Sequence, residues 1–136
     1  MVIDTNVLIA SIIGQSGYPQ RIFDELVLSG EVKICLSQAV LEEYEEVTER
    51  EKFKKYPNFV AKAQGLIVAL RKNAVFVEPT ETIQVLPDED DDKFLELAVA
   101  ADASYIVTGN TKDFPMSEFR GINIYTPKEF YEVWTQ

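Results

Sequence analysis

The sequence predicts an α/β fold with a mostly parallel central sheet. Short apolar runs alternate along the 136 residues with longer segments in which apolar residues recur at helical spacing. The chain contains no internal repeat, low-complexity tract or linker, so we expect residues 1–136 to form one domain. About five strands are expected, at Met1–Ile3, Val32–Leu36, Ala74–Glu78, Ser104–Thr108 and Ile122–Tyr125.

Helical patterns fill the gaps between these strands. Ser37 is a good N-cap for a helix that ends near Glu49, because its hydroxyl can accept from a backbone amide of the first turn. The other helices are expected at Asn6–Ile13, Pro19–Leu28 and Asn58–Lys72, from the acidic run after Pro87 to about Ala101, and after Pro127.

The composition excludes several classes of catalytic site. The net charge is −10 and the chain has no histidine. Ser-His-Asp and Cys-His catalysis and histidine-ligated metal sites are therefore excluded. The acidic balance also argues against a general basic surface for nucleic acid. Carboxylates gathered at one place would instead suit a hard cation such as Mg²⁺ or Mn²⁺.

Cysteine usage and hydropathy indicate the compartment. Cys35 is the one cysteine and lies in an apolar run, which predicts a buried structural thiol. No apolar run is long enough to span a bilayer, and Asp4 interrupts the opening run, which argues against a signal peptide. We expect a cytoplasmic protein without membrane contact.

The opening segment places a carboxylate where the first strand ends. Asp4 follows Val2 and Ile3 and precedes Thr5, Asn6 and a helical pattern. Ligand sites of open α/β sheets form at the carboxyl ends of strands. The alternative is that Asp4 only caps the following helix.

One glutamate of the helix after Ser37 lies beside its apolar stripe. Val40, Tyr44 and Val47 form the stripe, and Glu43 flanks it. The remaining glutamates point away and are expected to face solvent. A carboxylate at a core margin needs an ion-pair partner or a cation, so Glu43 is a candidate for either.

The acidic run 88–92 has two candidate members. Asp91 stands on the side of Phe94 and Leu95, whereas Asp92 faces Glu96 on nearly the opposite side. Asp91 is therefore the predicted inward ligand, and Asp92 takes its place if the helix begins irregularly. Acidic residues at a helix start also suit the helix dipole, which explains part of the run without a ligand.

Polar residues also follow the strand near Tyr105. They are Thr108, Gly109, Asn110 and Asp113, and either Asn110 or Asp113 could reach an ion or its waters. Glycine, asparagine and aspartate are equally typical of an ordinary turn.

Together these segments resemble the PIN domain family of metal-dependent ribonucleases. The matching stretches are IDTNVLI, LEEYEEV, DEDDDKFLELA and YIVTGNTKDF, in that order, and the resemblance spans essentially the whole chain. It is strongest to the branch of toxin components of toxin–antitoxin pairs. Many members have aspartate at the position of Asn110, so Asp113 is expected to supply the fourth carboxylate.

The resemblance implies a three-layer α/β/α sandwich and a set of functional residues. Asp4 and Asp91 would bind one or two Mg²⁺ or Mn²⁺ ions directly, and Glu43 and Asp113 would bind through water or position the nucleophile. Supporting roles are implied for Thr5, Asn6, Ser37, Asp92, Thr108 and Asn110.

The resemblance also implies an RNA substrate, a small antitoxin partner and a homodimer. Basic residues that could contact the RNA backbone are Arg50, Lys52, Lys54 and Lys55. The helices at Pro19–Leu28 and Asn58–Lys72 carry enough apolar residues to supply a dimer face. The alternative function is a catalytically inactive PIN-like module that binds RNA or protein.

Two other magnesium-dependent classes fit the residues less well. A phosphatase of the haloacid dehalogenase type needs a second aspartate two residues after the first, where this chain has Asn6. A receiver domain needs an early acidic pair, which is missing here.

Overall fold

The computed structural model describes residues 1–14 and 16–136. Its strands are β1 (Val2–Ile3), β2 (Cys35–Leu36), β3 (Val75–Phe76), β4 (Tyr105–Val107), β5 (Glu118–Phe119) and β6 (Ile122–Tyr125). Its α-helices are α1 (Thr5–Ile13), α2 (Tyr18–Arg21), α3 (Gln38–Thr48), α4 (Phe59–Asn73), α5 (Asp92–Ala100) and α6 (Pro127–Trp134). A π-helical segment, Ile22–Val27, continues α2, and 3₁₀ turns occupy Glu51–Phe53 and Glu89–Asp91.

The central sheet is mostly parallel, as predicted, but the expected number of about five strands was wrong. In the described residues it has four strands, in the order β1-β4-β6-β5, with β5 antiparallel to β6. The strands β2 and β3 form a separate parallel pair. That pair lies beside β1, because the Cys35 amide donates to the Met1 carbonyl oxygen at 2.9 Å.

The strand β5 has no counterpart among the sequence predictions. It joins β6 through a two-residue turn, Arg120–Gly121, in which both φ angles are positive, at 51° and 83°. Such turns favour Asn-Gly or Asp-Gly, so an arginine in the first position gives a weak hairpin signal.

Helices cover both faces of the sheet, which confirms the α/β/α class. Successive strand residues point to opposite faces, yet Val2 and Ile3 of β1 are both buried. Ile106 and Val107 of β4 are also fully buried.

The predicted helices occur at their expected places, with ends that differ by a few residues. Cys35 is buried, as predicted. Within the described residues, every helix is too short or too polar to cross a lipid bilayer.

The register of the sheet brings two strand ends together. Val2 lies opposite Ile106 and Ile3 opposite Val107, and the Asp4 amide donates to the Val107 carbonyl oxygen at 3.0 Å. Asp4 and Thr108 directly follow β1 and β4. They are therefore neighbours at the carboxyl ends of these two parallel strands.

Candidate active site

Asp4 places its carboxylate in the site rather than on the helix cap. Its carbonyl oxygen accepts from the Val7 amide at 3.0 Å, so its backbone does begin α1. Its side chain makes no capping hydrogen bond, is buried, and accepts instead from the Thr108 hydroxyl at 2.8 Å. The backbone of Asp4 thus begins the helix, while its carboxylate takes no part in capping and remains available to the site.

Burial and neighbouring acids make the charged form of Asp4 unfavourable. Burial is the largest cause and raises the pKa of Asp4 to about 6, with further increases from Glu43 and Asp113. The hydrogen bond from Thr108 acts in the opposite direction. A cation beside this group would restore the charged form.

Glu43 reaches the same strand ends because the adjacent residue, Tyr44, anchors α3 to β1. Tyr44 is fully buried and its hydroxyl donates to the carbonyl oxygen of Ile3. The adjacent Glu43 then accepts from the Thr5 hydroxyl through Oε2. Among the other glutamates of α3, Glu45 is partly buried, and the rest are exposed as expected.

Lys93 is a member of the site that sequence reasoning did not include. Its Nζ lies 2.8 Å from Oε1 of Glu43, and both side chains are partly buried. Its position two residues after Asp91, in the first turn of α5, was the available signal. A basic residue inside an acidic run is easily read as part of a solvated helix start.

Asp91 belongs to the cluster electrostatically. It ends the 3₁₀ turn Glu89–Asp91 and immediately precedes α5. Burial raises the pKa of Asp91 to about 7, with smaller increases from Asp4, Asp113, Asp88 and Glu43. The structure thus brings together carboxylates from four separate segments.

Asp92 points away from this cluster, although α5 does begin irregularly. Its carboxylate is buried and accepts from the backbone amides of Val85 at 3.3 Å and Leu86 at 3.0 Å. On the same side of α5, Glu96 accepts from the Ile83 amide at 2.9 Å. Asp92 thus holds the segment before the acidic run.

The loop after β4 forms an internal hydrogen-bond network. The Asn110 side chain donates to Oδ2 of Asp113 at 2.8 Å and accepts from the Lys112 amide at 3.0 Å. The Thr108 hydroxyl also accepts from the Asn110 amide at 3.2 Å. Asn110 therefore orients Asp113, whose charge acts on Asp4 and Asp91.

Within the residues that the structure describes, the supporting candidates Ser37 and Asn6, like Asp92, make no hydrogen-bonded contact with the acidic cluster. The Ser37 hydroxyl accepts from the Val40 amide at 3.3 Å, which is the predicted N-cap of α3. Asn6 is exposed on α1.

The predicted RNA contacts follow α3 on the exposed surface. Arg50 pairs with Glu46 at 3.1 Å and Lys54 with Glu51 at 2.7 Å. Lys52 lies over the ring of Phe53 and Lys55 over the ring of Tyr56. Arg50 also lines an open groove of about 340 Å³ with Glu43, Asp90 and Lys93.

The cluster offers carboxylate oxygens, which are the ligands that hard cations such as Mg²⁺ and Mn²⁺ prefer. In residues 1–14 and 16–136, however, no three acidic, histidine or cysteine side chains are arranged to surround one ion. Binding would therefore require some side chains to move. Glu43 is held at both carboxylate oxygens, by Thr5 and Lys93.

Comparison with known proteins identifies the family of the chain. The chain is 31% identical, over an alignment of 143 residues, to an uncharacterized protein of Methanocaldococcus jannaschii, and the alignment covers 97% of this chain and 89% of that protein. A family model described as PIN domain matches residues 1–112. That range includes Asp4, Glu43 and Asp91 and ends one residue before Asp113. The chain therefore belongs to the PIN domain family.

Proposed function

We propose that the protein is a Mg²⁺- or Mn²⁺-dependent endoribonuclease that hydrolyses RNA phosphodiester bonds. PIN domains are generally nucleases and typically use divalent metal ions. The observation that carries the proposal is the convergence of carboxylates from four segments, where burial and the neighbouring acids raise the pKa values of Asp4 and Asp91. A site that accumulates unfavourable negative charge is poised to bind a cation.

The side chains divide into two roles. Asp4 and Asp91 are the proposed direct ligands, because burial costs them most in the charged form. Glu43 and Asp113 would bind through water or position the nucleophile. Thr108 and Thr5 fix the orientation of Asp4 and Glu43 by donating to them. The bound ion would lower the pKa of a coordinated water and neutralise charge on the phosphate.

The biological role we propose is the toxin of a toxin–antitoxin pair, with a small antitoxin protein as partner. Exposed apolar side chains on two helical segments support a homodimer. They are Leu28, directly after the π-helical segment, and Val60 and Val68 on α4, which are 51%, 40% and 53% exposed.

The test measures Mn²⁺ binding by calorimetry and cleavage of single-stranded RNA on the same samples. The variants are Asp4→Asn and Asp91→Asn, with Asp24→Asn on an exposed site as the matched control. We expect both site variants to lose binding and cleavage together and the control to retain them. Tight Mn²⁺ binding without cleavage of any RNA would contradict the ribonuclease proposal.

One observation favours a second candidate function, an inactive PIN-like module that binds RNA or protein. Both oxygens of Glu43 already have protein partners, Thr5 and Lys93. Such a module would retain RNA or a protein partner in EDTA and would neither bind millimolar Mn²⁺ nor cleave RNA.

A further inference from the structure

The ion pair between Lys93 and Glu43 differs from the other ion pairs in the described part of the chain. The two side chains are 24% and 18% exposed, whereas those of the other pairs are between 48% and 86% exposed. Surface pairs of the exposed kind contribute little, because solvent screens them. A partly buried pair is screened less, so it responds more strongly when either partner changes.

Lys93 satisfies the one oxygen of Glu43 that Thr5 leaves open. Thr5 donates to Oε2 and Lys93 to Oε1, so the carboxylate is held at both ends. Tyr44 fixes the adjacent backbone against β1. Glu43 can therefore bind a new cation through Oε1 only by sharing that oxygen with Lys93 or by displacing the ammonium group.

The groove beside α3 offers the Lys93 ammonium group an alternative, hydrated position. Lys93 and Glu43 both line it, together with Asp90 and Arg50, and it is open to solvent. The lysine stem is long and flexible, so its head group can leave Glu43 and remain hydrated in the groove.

We propose that Lys93 is a positioning residue that holds Glu43 in the metal-free protein and competes with the divalent cation for that carboxylate. This inference rests on the metal site of the proposed function. Lys93 thereby keeps the acidic cluster folded without metal and lowers the affinity of the site for the ion. An ammonium group a few ångströms from a divalent cation disfavours binding by about tenfold even in a water-like dielectric.

The test is calorimetric titration of the full chain with MnCl₂. Lys93→Met and Lys93→Gln both remove the charge, and Lys128→Met, on an exposed residue, is the matched control. We expect the Lys93 variants to bind Mn²⁺ about tenfold more tightly than the wild type, and the control to change by less than about twofold. Because the effect acts through Glu43, it should largely disappear in a Glu43→Gln background.

A second readout is thermal unfolding in EDTA and in excess Mn²⁺. The Lys93 variants should melt below the wild type in EDTA, and excess Mn²⁺ should close that gap. Equal or weaker Mn²⁺ binding by both Lys93 variants would overturn the inference, as would the absence of binding to wild type and variants alike.

RNA cleavage on the same samples separates this inference from the proposed function. Tighter Mn²⁺ binding by the Lys93 variants with no cleavage by any protein would support the competition and overturn the ribonuclease. The opposite result is wild-type cleavage that Asp4→Asn abolishes, with Mn²⁺ affinity unchanged in the Lys93 variants. It would support the ribonuclease and overturn the competition.

Discussion

The Thr108 hydroxyl donates to Oδ2 of Asp4 at 2.8 Å and so joins residues 104 positions apart in the sequence. Each residue directly follows a strand, and the two strands are hydrogen-bonded neighbours in the sheet. Both side chains are buried. The bond therefore orients the Asp4 carboxylate at the point where the strand ends meet.

Replacing Thr108 with valine tests this orientation. Thr108→Val keeps the shape but removes the donor, so a buried carboxylate loses a partner at a cost of about 2 kcal/mol at pH 8. The loss should be smaller at pH 4, where Asp4 is protonated in the folded state. Urea unfolding at both pH values measures the difference. Thr80→Val, on an exposed threonine, is the control, and an equal loss at both pH values would contradict the prediction.

Asp4→Asn should stabilise the metal-free protein at high pH. The pKa of Asp4 is raised from 3.8 to about 6, so the folded state binds the proton more tightly than the unfolded state. Its contribution is fully present below pH 3.8 and is lost as the pH rises through about 6. Because Asp91 is raised to about 7 in the same direction, metal-free stability should keep declining toward pH 7.

The measurement is thermal unfolding in EDTA at pH 4 and pH 8. At pH 8 the neutral asparagine avoids a penalty on the order of 3 kcal/mol, and at pH 4 the two proteins should melt together. Excess Mn²⁺ at pH 8 should reverse the order, since only the wild type has the ligand. A melting-temperature difference that does not depend on pH would refute this explanation.

Asp92→Ala should affect stability rather than metal binding. The change leaves the Val85 and Leu86 amides without their acceptor, at a cost of about 2 kcal/mol. Hydrogen exchange should accelerate in residues 83–86, while Mn²⁺ affinity stays within about twofold of wild type. Asp90→Ala, on the exposed side of the acidic run, serves as control. A large loss of Mn²⁺ affinity in Asp92→Ala would contradict this prediction and indicate that Asp92 takes part in metal binding.

Tyr44→Phe should weaken the link between α3 and β1. Tyr44 is fully buried and burial raises its pKa well above the usual value, so its hydroxyl stays protonated and donates to Ile3. Losing that bond should cost about 1–2 kcal/mol in urea unfolding. Because Glu43 is adjacent, Mn²⁺ affinity should also fall severalfold. Tyr56→Phe, on a partly buried tyrosine, is the control, and equal effects in both variants would argue against a specific anchor.

The sequence by itself determined the α/β class, the place of most elements and the carboxylates worth testing. Strand ends are local signals, because an apolar run that stops at a polar residue is visible without a partner. The same holds for the Ser37 cap, which depends on contacts within one helical turn. The helical period also predicted that Asp91, which immediately precedes α5, and Asp92, its first residue, face different sides.

Only the tertiary structure decided which partner each polar side chain takes. The Thr108 bond to Asp4 and the Lys93 contact with Glu43 join residues 104 and 50 positions apart. The helical period placed Asp92 opposite Asp91, but only the packed 83–86 segment shows that its carboxylate holds backbone amides. Such pairings depend on strand order and on which helix covers which strand. Those follow from burying the whole apolar surface at once, so no local stretch of sequence encodes them.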